Sequence, residues 1–191
     1  MKYLILTIYL LSAFFSQMSA ATNWQSEPAE SELVYAVNFE QLPINGQFKE
    51  FSVDYIAGQQ LRVVVNIASV DMGNSDINQA IRDVDWFDIK HHSQAVFFSD
   101  NINAINETDF IAEGQLQLKG ISKPVSVPFS WQPTAQPENP GEPADSASMT
   151  GKLILNRSDF AIGSAEWASG DQIGIDVDVR FAVKMLKHAT E

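Results

Sequence analysis

Residues Ile173 to Lys184 read I-G-I-D-V-D-V-R-F-A-V-K. Every odd position from Ile173 to Val183 carries a large apolar residue, and between them stand Gly174, Asp176, Asp178, Arg180, Ala182 and Lys184. A two-residue period means a strand with one oily face and one wet face. These 12 residues make a strand about twice the usual length. Long, twisted strands suit a closed barrel, where they tilt around the axis. Closure also removes exposed sheet edges.

The same alternation recurs upstream. Leu33, Tyr35, Val37 and Phe39 alternate with polar or small residues, and Leu61, Val63, Val65 and Ile67 share another face. Between Phe48 and Phe51 the apolar residues change parity, which predicts a bulge or twist there. Further strands are expected over 95–101, 110–118, 125–131 and 149–156, with a tight turn at Gly120-Ile121-Ser122-Lys123-Pro124. Ser75 to Trp86 differs: Ile77, Ala80, Ile81 and Val84 are spaced by three and four, a helical period, with Asn74 or Ser75 as its cap. Residues 133–146 hold four prolines with Glu138, Glu142 and Asp145, so they form an acidic, Pro-rich surface loop. About eight strands and one or two short helices describe an all-β domain, a sandwich or a barrel, and the last strand favours the barrel.

The chain has 191 residues, no cysteine and a formal net charge of -12. So acidic a surface repels nucleic acid and anionic headgroups. Without cysteine there is no disulfide framework, thiolate nucleophile or thiolate metal site. Lys2, the apolar run Tyr3–Phe15 and the small residues Ser16, Ser19, Ala20 and Ala21 form a cleavable export signal over 1–21. The apolar run is shorter than the ~20 residues a spanning helix needs, so no stable membrane insertion is expected after cleavage. Residues 22–191 are then the mature domain. Export without cysteine points to the bacterial periplasm.

Motifs for chemistry are sparse. His91 and His92 are adjacent on an extended chain and point opposite ways; zinc needs three or four convergent ligands. Asp83, Asp85 and Asp88 read first as a solvated face or loop caps beside Arg82, and second as an acid/base cluster. Asn106-Glu107-Thr108 and Asn156-Arg157-Ser158 match the short glycosylation pattern, which is frequent by chance. No phosphate-binding Gly-rich loop or nucleophile elbow is present. Arg157 and Asp159 are expected to fix a turn at a barrel end.

Several segments, in order, resemble the YceI-like family of exported proteins: Gly46–Phe51, Ser69–Ile89 (S-V-D-M-G-N-S-D-I-N-Q-A-I-R-D-V-D-W-F-D-I), Phe97-Phe98-Ser99, Gly114–Pro128 and L-N-R-S-D-F-A-I-G (Leu155–Gly163). The resemblance implies an eight-stranded antiparallel, lipocalin-like barrel with helical elements capping one mouth. It also implies a long apolar cavity for an amphiphile with a polyisoprenoid tail, such as an isoprenoid quinone, and it brings no catalytic residue. The chain departs from the family at Asn38–Gly46 (N-F-E-Q-L-P-I-N-G), which lacks the family's histidine. The loop over 133–146 is also longer than the family's usual connection.

The alternating set proposes a cavity wall: Val63, Val65, Ile67, Phe97, Leu116, Leu118, Val127, Phe129, Trp131, Ile175, Val177, Val179 and Phe181. Trp86 and Phe87 are candidates for the mouth, and Arg82 for a headgroup contact. The pattern alone fits a filled core better than a hollow one, since small barrels are often filled; the resemblance implies the hollow one. Burying two isoprene units would give roughly 8 kcal/mol, about micromolar binding before ordering costs. The expected function is a periplasmic carrier of a polyisoprenoid-type lipid, with no cofactor beyond that lipid, no metal and no catalysis; a homodimer fits the same reading. Two alternatives stay open: an enzyme or redox accessory acting on a bound quinone through the carboxylates at 83–88, and a filled barrel serving as an interaction module through its acidic loop.

Overall fold

The computed structural model describes residues 23–133 and 145–188; the expected signal at 1–21 and most of the acidic loop lie outside the described residues. The opening stretch belongs to strand β11 (Ile173–His188), longer still than its alternation promised. Its register explains the length. One edge pairs with β10 (Ser146–Asn156) throughout, while the other serves two partners in turn, β1 (Asn23–Ser26) and β2 (Glu32–Phe39). Between β1 and β2 the chain makes a 3-10 turn at Pro28–Glu30, capped by the Glu27 side chain.

The remaining strands are β3 (Leu42–Phe48), β4 (Phe51–Ile56), β5 (Gln60–Asn66), β6 (Val70–Asp71), β7 (Gln94–Ala104), β8 (Asp109–Leu118) and β9 (Ile121–Pro133). All pairings are antiparallel. Because β1 pairs with both β4 and β11, the sheet closes. Three staves are broken strands: β1 with β2, β3 with β4, and β5 with β6. Counted as staves, the protein is an eight-stranded antiparallel barrel wound in chain order. The β3–β4 break falls at Lys49-Glu50, where the apolar parity changes. The β5–β6 break is a 3-10 turn at Ile67–Ser69, capped by Asn66.

Two expectations need correction. The turn before β9 is Lys119-Gly120, both at positive φ, and Ile121 already pairs with Leu118. A two-residue turn with positive φ twice matches the twist of the flanking strands. The helix is also shorter than Ser75–Trp86: α1 spans Ser75–Ala80, with Asn74 Oδ1 accepting from the backbone N–H of Asp76 and Ile77. Beyond it, tertiary bonds take over the backbone. The Arg82 and Asp83 N–H groups bond only three residues back, to the Gln79 and Ala80 carbonyls, and the Ile81 carbonyl accepts from Phe87, while the Asp85 carbonyl takes the N–H of Gly163 and Ser164 at 2.8 and 2.9 Å. Among the described residues no helix is long and apolar enough to cross a membrane.

Candidate functional site

Inward side chains change character along the barrel axis. On β11, Met185 and Val183 are 0% and 2% exposed, whereas Phe181, Val179 and Val177 are only partly buried. On β10, Ala147 and Met149 are buried, while Leu153 and Leu155 are not fully so. The faces are equally apolar along their length, so the difference is what they face. One end of the barrel is packed solid and the other is hollow.

The hollow end holds a cavity of about 520 Å3. Its wall comes from Leu33, Tyr35 and Val37 on β2, Val63 and Val65 on β5, Phe97 on β7, Leu116 and Leu118 on β8, Val125 and Val127 on β9, and Val177, Val179 and Phe181 on β11. Its mouth is built by Ile77 and Ala80 of α1, Ile81, Trp86, Phe87, Trp167, Ile173, Ile44 and Phe39. Ile77 and Phe39 are 44% and 40% exposed, so the rim itself is oily. Trp86 and Trp167 face each other with ring centres 5.9 Å apart.

Twelve of the residues chosen by pattern therefore surround one space: Val63, Val65, Ile67, Trp86, Phe87, Phe97, Leu116, Leu118, Val127, Val177, Val179 and Phe181. Phe129 and Trp131 do not line it. They face inward but lie lower, packed with Tyr55, Trp24 and Phe110 in the solid end. Ile175 does not line it either. The β11–β2 register shifts between Ile173 and Val177, and Ile175 packs beneath Gly170 of the preceding loop. Arg82 is also away from the wall: one terminal nitrogen donates to the Ala68 carbonyl at 2.8 Å, and its Nε is buried without a partner.

Arg157 is the charged residue on the lining, and only 3% exposed. Its guanidinium donates to the carbonyls of Gly174, Ile162, Gly163, Trp167 and Ile173 at 2.6–3.0 Å. An arginine has five N–H donors, so none is left for a ligand. Burial pushes its pKa down, yet a guanidinium stays charged at any ordinary pH. It frames the mouth loop, stacked 5.8 Å from the Trp86 ring, as the turn-fixing expectation had it. Tyr35 is the other polar presence. Its hydroxyl donates to Met72 Sδ, and burial, helped by the charge of Asp71, raises its pKa far above the ordinary phenol value. Gly46 leaves the room for this: a Cβ there would collide with both Met72 and Tyr35.

The carboxylates at 83–88 stand outside this space. Asp85 accepts from the Ser164 hydroxyl at 3.0 Å, and Asp88 pairs with the exposed His91 at 2.8 Å. His92 lies under Gly120. Among the described residues no group of three or more His, Asp or Glu side chains converges as a metal site. Asn106 caps a hairpin, accepting from the N–H of Thr108 and Asp109. Sequence reasoning missed Tyr35, Ile44, Met72, Arg157, Ile162 and Trp167 as lining residues. The alternation around Tyr35 could have found that one; Trp167 sits in a loop without period.

The description of the YceI-like domain matches residues 24–185. A relative from Shewanella oneidensis, named UPF0312 protein, is 26% identical over 149 residues, covering 72% of this chain and 74% of its own. One from Vibrio campbellii, of the same name, is 28% identical over 125 residues, covering 62% and 65%. The crystal structure of Burkholderia cenocepacia BcnA superposes with a TM-score of 0.73 at 25% identity, over 86% of this chain and 99% of that one. A structure of a polyisoprenoid binding domain from Saccharophagus degradans, implicated in plant cell wall breakdown, gives 0.68 over 88% and 100%; at 15% identity that likeness is one of fold. The family match spans most of the chain and the barrel superposes on solved members of like fold, so the chain belongs to the YceI-like family.

Proposed function

We propose that this protein is an exported binding protein, a carrier that holds the apolar tail of an amphiphile of the polyisoprenoid class inside its barrel and leaves the polar head at the mouth. The observation that carries the reading is the hollow upper barrel, about 520 Å3 walled by hydrocarbon and aromatic side chains. That volume falls within the usual range of small-molecule sites. The Arg157 N–H groups are all used, so the charged side chain on the lining has none left for a ligand. Recognition then rests on area and shape: water expels the tail and the wall shields it. The oily rim at Phe39 and Ile77 gives the tail a graded entrance. The signal at 1–21 supports work in the periplasm, where an acidic, soluble shell ferries a lipid through water. The polyisoprenoid class is supported by the family resemblance and by the Saccharophagus degradans neighbour of like fold.

Binding rather than catalysis is favoured because Asp83, Asp85 and Asp88 lie off the cavity lining. The test is organic extraction of the purified protein followed by mass spectrometry. A stoichiometric long-chain lipid is expected, and it should persist when all three aspartates are changed to alanine. Protein that comes out empty and also ignores added prenyl lipids would sink the reading.

A further inference from the structure

Resting on the carrier reading, we infer that the rim between the β2–β3 hairpin and α1 docks on the surface of a lipid bilayer of low negative charge, where the tail enters and leaves the barrel. The mouth is laced on two sides and open on the third. The Asp85 carbonyl takes the N–H of Gly163 and Ser164, which ties residues 81–92 to the loop over 162–174. The Glu40 N–H donates to the Gln172 carbonyl at 2.8 Å, which ties the hairpin to the same loop. Between the hairpin and α1 no hydrogen bond is made among the described residues; Asn78 of α1 bonds instead to the Met72 N–H and to Asp71. That third side presents Phe39 and Ile44 from the hairpin strands and Ile77 from α1 to the cavity.

The outer surface of this side is oily as well. Phe39 and Leu42 flank the two-residue turn Glu40-Gln41, both at positive φ, and they pair directly, so their side chains share one face. Leu42 is 70% exposed, against 40% for Phe39 and 44% for Ile77. Phe39 and Ile77 are at once cavity wall and outer surface, so a tail passes from rim to interior without crossing a polar step. That continuity names the occupant. A tail that water expels resides in a bilayer, and an oily rim set into the headgroup region joins one hydrocarbon interior to the other. Charge sets the kind of bilayer. The hairpin tip and α1 carry Glu40 and Asp76 and no lysine or arginine, within a chain of net charge -12. Like charge repels anionic headgroups, so the fit is to a zwitterionic surface. A few partly exposed side chains give weak, reversible docking, which lets a carrier leave with its load.

The test uses the mature protein and vesicles of phosphatidylcholine, alone or mixed with phosphatidylglycerol, with binding read by flotation. Wild type should float with the neutral vesicles and several-fold less with the anionic ones at low salt, a difference that high salt screens away. Leu42→Glu should weaken binding to neutral vesicles roughly tenfold. It should keep wild-type circular dichroism and wild-type affinity for prenyl alcohols in solution, since Leu42 is not on the cavity lining. Leu42→Ser replaces it if the glutamate form does not fold. Ile105 is 60% exposed in the β7–β8 hairpin at the packed end, where the Thr108 carbonyl accepts the Trp131 N–H. Ile105→Glu should therefore float as wild type does. Equal flotation of Leu42→Glu and wild type overturns the docking surface, as does tighter binding to the anionic vesicles or an equal loss in Ile105→Glu. Wild type that binds prenyl alcohols but neither vesicle removes the docking surface alone and turns the rim toward a protein partner. Vesicle binding with no prenyl alcohol bound in solution removes the carrier reading.

Discussion

Arg157 shows how much one side chain can hold at this mouth. Its five bonds all go to backbone carbonyls of residues 162–174, the loop that carries Trp167 over the cavity. No carboxylate lies within ion-pair reach among the described residues, so the carbonyl dipoles alone compensate the buried charge. Removing the guanidinium strands several buried acceptors. Arg157→Ala should lower stability by ~3 kcal/mol or more, a fall in Tm of roughly 6–12 °C for a chain of this size. Arg157→Lys should recover only part of that, because an ammonium cannot reproduce the planar fork. Differential scanning calorimetry on both variants decides it, and an unchanged Tm for the alanine form would contradict this role. Arg82 was the arginine legible as interesting from its neighbours in sequence. Charge and position along the chain do not say which arginine the fold will bury.

Strand edges and bulges decide where staves break and where they stay shut. The β2–β3 ladder runs over Leu42–Gln47, but on its far side β3 pairs with β6 only at Gln47 and Phe48. Pro43, in the uncovered part, has no N–H to offer an incoming strand, which blunts an edge that could template aggregation. On β7 the register slips between Ser99 and Asn101, and Gly114 of β8 sits directly against the slip. A Cβ there would run into the Phe98 carbonyl oxygen and Ser99 Cα, backbone atoms that cannot rotate away. Gly114→Ala should therefore cost about 1–3 kcal/mol, as overpacking does, seen as a lower urea midpoint with an unchanged slope. A midpoint equal to wild type would show that the bulge can absorb a methyl group. The helical period of Ile77, Ala80 and Ile81 was legible in the sequence, and all three line the cavity. The helix end was not, because the turn that follows folds back on itself, with the N–H groups of Phe87 and Ile89 on the Ile81 and Arg82 carbonyls in place of the helical ladder.

For the molecule as a whole, the contrast between a packed end and a hollow end couples stability to occupancy. The solid end supplies a core that includes Trp24, Tyr55, Phe129, Ala147 and Met185. The upper wall lacks partner atoms across the cavity, so its lining forgoes dispersion contacts until a tail fills the space. A ligand that binds only the folded barrel stabilises it by mass action, ~2.7 kcal/mol at a hundredfold excess over Kd. Stripping bound lipid by reverse-phase extraction and refolding should thus lower Tm by roughly 5–11 °C, and re-addition of a prenyl alcohol should restore it. Equal melting of stripped and loaded protein would mean that the space is not where the lipid sits.

By itself the sequence determined which side of each strand is oily, because side chains alternate with a strict period of two. It also marked the parity slip at Lys49-Glu50 and the helical stretch after Asn74, since both are local features of spacing and capping. Depth along the barrel axis was left to the tertiary structure. Phe129 and Trp131 carry the same inward signal as Val127, yet further along the strand they meet rings from three other staves and pack the solid end. A period fixes direction, while height, and with it the boundary between core and cavity, depends on which strands lie opposite one another once the barrel has closed.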